Sequence, residues 1–161
     1  MSKILVAYYS AQGHTKRAAK IVAERLGADL FELQPTKPYE ESDFDWANLE
    51  SRVSKERANE ELQDVDLVQE VPDNWDDYDI VLIGYPLWYA IPAWPINRFI
   101  KINSFIGKIV VPFCTSHSSP LSDSDKMLHR MTSTGDWRPG IRFYQDVPEE
   151  ELASWAEGLG F

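Results

Sequence analysis

The sequence predicts a three-layer α/β sandwich built on a five-stranded parallel sheet, and two observations carry that prediction. Apolar runs without polar alternation recur at 3–9, 79–84 and 108–113, and such runs suit strands buried on both faces. Between them lie segments with apolar residues at three- and four-residue spacing, as in helices packed on a sheet. Strands alternating with helices form a parallel sheet with right-handed crossovers. The 161 residues are read as a single domain over 1–161. At 43% hydrophobic, with six Trp, seven Tyr and seven Phe, the chain holds enough apolar mass for a core, which excludes global disorder.

Lys3-Ile-Leu-Val-Ala-Tyr-Tyr9 reads as the first buried strand, broken by Ser10 to Thr15. Ala18, Ala19, Val22, Ala23 and Leu26 then mark a helix that Gly27 ends. Leu30, Phe31 and Leu33 alternate in a second strand, stopped by Pro35, so the chain opens as a βαβ unit. Thr36 to Tyr78 is long and polar. Trp46, Leu49 and Val53 at helical spacing predict a helix there, with Asp43 or Asp45 as its cap; 62–71 carries no assignment. Asp79 to Gly84 is the clearest buried strand. Trp94 to Ile102 predicts a helix with a proline near its start. Lys108 to Phe113 is a fourth strand, and Asp123 to Met131 a helix capped by Ser122. Ile141 to Tyr144 is a short fifth strand. Pro148 to Glu157 is a terminal helix whose Glu149 to Glu151 suit its positive end.

The formal net charge of −10 argues against nucleic-acid binding, which needs Lys and Arg opposite phosphates. A lone cysteine, Cys114, excludes an intrachain disulfide and a cysteine zinc site, and three scattered histidines make a metal centre unexpected. Residues 80–97 carry no charge, but Pro86, Pro92 and Pro95 interrupt them, so no membrane span is expected. The first residues lack the apolar core of an export signal, which predicts a cytoplasmic protein. Residues 40–79 hold fifteen acidic and three basic side chains, a local charge of −12 on a nearly neutral remainder. That segment is a solvated face, or a surface that steers a basic partner.

In a parallel sheet ligands sit beyond the carboxyl ends of the strands. Three loops occupy such ends. Ser10, Gln12, Gly13, His14 and Thr15 lie between a strand and a helix start, where free amides and hydroxyls form an anion cradle and Gly13 permits close approach or positive φ. The loop has neither the P-loop nor the dinucleotide glycine pattern. Tyr85 to Trp94 carries four aromatic residues and two prolines. Trp88 and Tyr89 are expected to face a planar heteroaromatic ligand, whereas Trp94 is assigned to the core. The third loop, Cys114 to Ser122, offers short hydroxyls and backbone amides to a polar ring edge. Cys114 is expected to pack near a strand end, with nothing local to mark it as a nucleophile.

Three segments together resemble the flavodoxins. They are Tyr9-Ser10-Ala11-Gln12-Gly13-His14-Thr15, the run from Asp77 through Gly84-Tyr85-Pro86-Leu87-Trp88-Tyr89, and Gly107 through Cys114-Thr115-Ser116. The resemblance implies strand order 2-1-3-4-5 and an FMN cofactor. It implies that Ser10 to Thr15 hold the ribityl phosphate, that Pro86 to Tyr89 flank the isoalloxazine, and that Thr115 to Ser118 lie at its pyrimidine edge. The chain departs from the family in Gln12, where a Thr is common, and in His117-Ser118-Ser119-Pro120, where relatives continue Gly-Gly-Ser-Gly. His117 thereby brings a titratable ring to the expected pyrimidine edge.

Three functions follow as alternatives. The first is electron transfer by bound FMN, with no protein residue acting as a catalyst. The second is a small FMN-dependent NAD(P)H quinone or flavin reductase. The third is a flavin-free regulatory or binding module on the same fold. A response regulator is a poor fit, because Tyr8-Tyr9-Ser10 and Gly84-Tyr85 stand where acidic residues are needed. The acidic 40–79 segment would bias encounter with a redox partner protein.

Overall fold

The computed structural model describes residues 2–161. Five helices flank a parallel sheet. The strands are β1 (Ile4–Tyr8), β2 (Asp29–Glu32), β3 (Ile80–Trp88), β4 (Ile91–Pro92), β5 (Ile109–Ser116), β6 (Asp136–Trp137) and β7 (Ile141–Tyr144); the helices are α1 (His14–Leu26), α2 (Arg52–Ala58), α3 (Asn97–Ile102), α4 (Ser124–Thr132) and α5 (Glu149–Gly158). The order is β2-β1-β3-β5, with the next position shared between β6 and β7. β6 pairs with Ile109 and Val110, and β7 with Phe113 to Ser116. The fifth strand of the predicted order is thus two short pieces, interrupted at Arg138-Pro139-Gly140, where Pro139 has no N–H to donate.

The central strands are buried on both faces, as their unalternating sequence requires. Ile4, Val6, Tyr8, Ile80, Leu82, Val111 and Phe113 pack with α1 and α5 through Ala18, Ala19, Val22, Leu152 and Ala156. Leu5, Ala7, Val81, Ile83 and Tyr85 pack on the other side against an aromatic-rich layer that includes Trp75, Trp94, Phe99 and Phe105. Trp94 joins the core as expected.

Local chemistry moves several predicted elements. No helix spans Trp46 to Val53. Asp45 Oδ1 accepts from Ala47 N at 3.3 Å and Asn48 Oδ1 from Glu50 N at 3.0 Å, and these side-chain turns compete with helical pairing. A short 3-10 turn at Glu41–Phe44 precedes them, and α2 starts later, capped by Ser51 rather than by Asp43 or Asp45. Ser122 does not cap α4: its φ is 48°, and Asp123 holds the cap position. Trp94–Ile96 is a 3-10 turn that leads into the short α3.

The largest correction concerns Tyr85 to Trp94, which is not a loop. β3 continues through it to Trp88, turns at Tyr89-Ala90 and returns as β4, with Trp88 opposite Ile91. Tyr89 and Ala90 have φ of 51° and 66°, the signs of a type I′ hairpin turn. β5 likewise runs past Phe113 to Ser116, so Thr115 and Ser116 stand on a strand. Among the described residues no helix is long and apolar enough to cross a membrane.

Candidate functional site

A cleft of about 340 Å³ opens at the carboxyl ends of β1, β3 and β5. Ser10, Gln12, His14 and Thr15 line it from the β1–α1 loop, Pro86, Leu87, Trp88 and Tyr89 from the β3–β4 hairpin, and Thr115, Ser116, His117 and Ser118 from the end of β5. The three segments singled out in the sequence therefore meet at one place. Gly13 alone among those residues does not line the cleft. It stands at the start of α1 with φ of 95°, a left-handed conformation that a side chain would strain.

The first segment is built by Ser10. Its Oγ accepts from the amides of Gly13 at 3.2 Å and Lys16 at 3.1 Å, which folds the loop back onto the helix start. The amides of Gln12, His14 and Thr15 have no protein acceptor among the described residues. They stand at the positive end of α1, where an anion gains both hydrogen bonds and dipole attraction. Thr15 Oγ1 shares a 2.8 Å hydrogen bond with Thr115 Oγ1, and both residues are buried. This bond ties the cradle to the end of β5.

The second segment forms an aromatic wall. Trp88 is only 3% exposed, with ring centroids 5.3 Å from Tyr39, 5.6 Å from Phe44, 5.7 Å from Tyr9 and 4.9 Å from Trp94. It is therefore mainly a core residue that shows little of itself to the cleft, because β3 carries it inward. Tyr89, at the hairpin turn, packs edge-on to Trp46 at 4.8 Å, and the Arg57 guanidinium lies 3.8 Å from its ring. Tyr89 and Ala90 hold positive φ without glycine, a cost that surrounding packing must offset.

The sequence did not identify Phe44 and Trp46 as cleft residues, yet both line it. They arrive from the β2–β3 connection, and Trp46 is 44% exposed. Glu56 anchors this connection. It is buried, and its carboxylate accepts from the Tyr39 hydroxyl, from Trp94 Nε1 at 2.8 Å and from Arg52 Nε at 3.0 Å. This residue of the acidic segment is thus internal. Asp64, Asp66 and Glu70 of the same segment gather on Arg98.

The third segment is held by side chains. Ser116 Oγ donates to the Ser119 carbonyl, closing the turn, and Arg142 Nε donates to Ser116 Oγ at 2.8 Å. No residue from His117 to Pro120 has positive φ, so the loop needs none of the family's glycines. His117 and Ser118 are exposed on the cleft rim. Ala11, Ser119 and Gln145 complete the lining, which contains no Asp or Glu. Cys114 is fully buried, and burial pushes its thiol up to about 12, which keeps it protonated and unreactive at neutral pH.

The cleft thus has an amide cradle at one end, aromatic rings along one side and a polar edge at the other. Those features suit a planar heteroaromatic ligand that carries an anionic group.

Comparison with known proteins agrees with this geometry. The flavodoxin family profile matches residues 3–159. A candidate flavoprotein from Bacteroides eggerthii is 35% identical, with a TM-score of 0.87 over 100% of this chain and 99% of that one. A second, from Bacteroides uniformis, is 36% identical, with a TM-score of 0.87 over 97% of this chain and 98% of that one. The fold is shared with a flavoprotein of Lactobacillus acidophilus solved in complex with FMN, at 22% identity and a TM-score of 0.67 over 97% of this chain and 99% of that one. No curated protein matches.

Proposed function

The chain belongs to the flavodoxin family, and from that premise we propose that it binds FMN in this cleft and serves in electron transfer. The observation that carries the reading is the unpaired amide cradle at α1, set in the same cleft as the aromatic wall and the Thr115–Ser118 edge. Ser10 shapes the cradle, and the amides of Gln12, His14 and Thr15 hold the phosphate. Tyr89 and Trp46, in contact with each other, present one aromatic wall to the ring, and Pro86 and Leu87 support it. Thr115 to Ser118 supply donors at the pyrimidine edge. FMN, when bound, supplies reversible one- and two-electron chemistry, while the chain sets its orientation and surroundings.

The exposed acids of residues 40–79 act in this reading as a surface that biases encounter with a basic redox partner. The carrier role is tested by following electron exchange of the reduced holoprotein with partner proteins and, separately, with NADH or NADPH. Rapid exchange with a basic redox protein, slowing as salt rises, supports the carrier. Steady turnover of NAD(P)H with a quinone or free flavin would make it a reductase instead.

A further inference from the structure

Arg52, Arg98 and Arg142 are the half-buried arginines of this chain. Arg52 pairs with Glu56, and Arg98 with Asp64, Asp66 and Glu70. Arg142 has no carboxylate partner among the described residues, in a protein with ten more negative than positive charges. A half-buried cation without a counter-ion costs desolvation, so its retention asks for a reason.

Its contacts point to one. β7 lies beside β5 with Arg142 opposite Cys114 and Tyr144 opposite Ser116. The guanidinium bonds twice to Ser116, Nε to Oγ at 2.8 Å and a terminal nitrogen to the carbonyl at 3.3 Å. The Tyr144 ring, 3.7 Å from the guanidinium carbon, stacks on it and limits its rotation. Ser116 then donates to the Ser119 carbonyl, and both serines line the cleft. A fixed positive charge therefore stands behind the polar edge, one side chain away from any ligand there.

We propose that Arg142 is the positioning residue of the 116–119 turn and the cation that favours the reduced, more negatively charged form of the ligand at that edge. The second half rests on the FMN reading; the first does not. Without glycines, the turn depends on the Arg142–Ser116–Ser119 relay for its shape. A cation beside a group that gains electrons stabilises the product of reduction more than the starting form.

The test uses Arg142→Gln, Arg142→Lys and Ser116→Ala. In the ligand-free protein, the NMR order parameters of the 117–119 amides should fall in Arg142→Gln and Ser116→Ala, towards the flexible range below about 0.6. In the FMN-loaded protein, the midpoint of the second electron step should fall in Arg142→Gln. A tenfold loss of preference for the reduced form reads as about 59 mV in a one-electron step. Arg142→Lys should loosen the turn, because an ammonium lacks the planar fork, yet keep a midpoint close to wild type. Unchanged order parameters in Arg142→Gln overturn the positioning role. Equal midpoints for Arg142→Gln and wild type overturn the electrostatic one. Should wild type take up no FMN, the FMN reading fails, and the order parameters still decide the positioning role.

Discussion

Glu56→Ala isolates the role of the β2–β3 connection. The carboxylate is buried and serves three donors: the Tyr39 hydroxyl, Trp94 Nε1 and Arg52 Nε. Removing it strands the Trp94 N–H in the core, where Trp94 is only 1% exposed. Breaking a buried charged pair costs about 3–5 kcal/mol. The lower end applies here, because Arg52 still donates to the Lys37 and Pro38 carbonyls at 2.8 and 3.3 Å. A chain of this size loses about 2–4 °C in Tm per kcal/mol. Urea and thermal unfolding should therefore show a loss of about 3 kcal/mol for Glu56→Ala. Glu56→Gln keeps an acceptor and should lose about 1–2 kcal/mol. Phe44 and Trp46 ride on the same connection, so FMN affinity should fall along with stability. A Glu56→Ala protein within about 1 kcal/mol of wild type would refute the argument that Glu56 anchors the wall.

Gly84→Ala places a Cβ 2.5 Å from Phe113 Cζ and 2.7 Å from Cε2, inside the packed sheet. It should destabilise by about 1–3 kcal/mol in urea unfolding, and a neutral result would mean that the ring has room to move. Tyr9, Tyr39 and Tyr85 have phenols held above the ordinary tyrosine range, by burial first and, for Tyr39, also by its bond to Glu56. A raised folded pKa gives stability that is complete below the unfolded value near 10 and is lost as pH rises above it. In a variant with Tyr89 and Tyr144 replaced by Phe, so that the tyrosines left are those with raised phenols, tyrosinate absorbance should appear together with loss of the fold at alkaline pH; titration with the circular dichroism unchanged would show the phenols to be accessible. Thr15→Val leaves the buried Thr115 hydroxyl without its partner. It should cost about 1–3 kcal/mol and weaken phosphate binding, and unaltered FMN affinity would uncouple the cradle from the end of β5.

The strands were legible in the sequence because burial on both faces forbids polar alternation, as in Ile4 to Tyr8 and Ile80 to Gly84. The three cleft segments followed from the strand ends, since topology sends every parallel strand's carboxyl end to the same edge. The hairpin was not legible. Tyr89-Ala90 is not the Asn-Gly type of pair that announces a type I′ turn, and a proline such as Pro86 is uncommon inside a strand. The helix placed over Trp46 to Val53 failed because Asp45 and Asn48 satisfy their neighbours' amides locally, leaving Leu49 82% exposed. Trp46 and Phe44 reach the cleft only through tertiary folding of an irregular connection, for which sequence spacing carries no signal. Arg142 lay unmarked for the same reason: only the pairing of β7 with β5 brings it to Ser116.

Titration of the ligand-free protein with FMN and with riboflavin tests the central claim most directly. The two ligands share the ring and differ in the phosphate, so the comparison reads the amide cradle of Gln12, His14 and Thr15 alone. Each charge-assisted bond contributes about 1.5–3 kcal/mol, so two such bonds make FMN tighter by roughly a hundredfold or more. A large preference for FMN, with flavin fluorescence quenched on binding, is the expected result. Equal affinity for the two ligands, or no uptake of either, would contradict the assignment of the cradle and of the cleft as the FMN site.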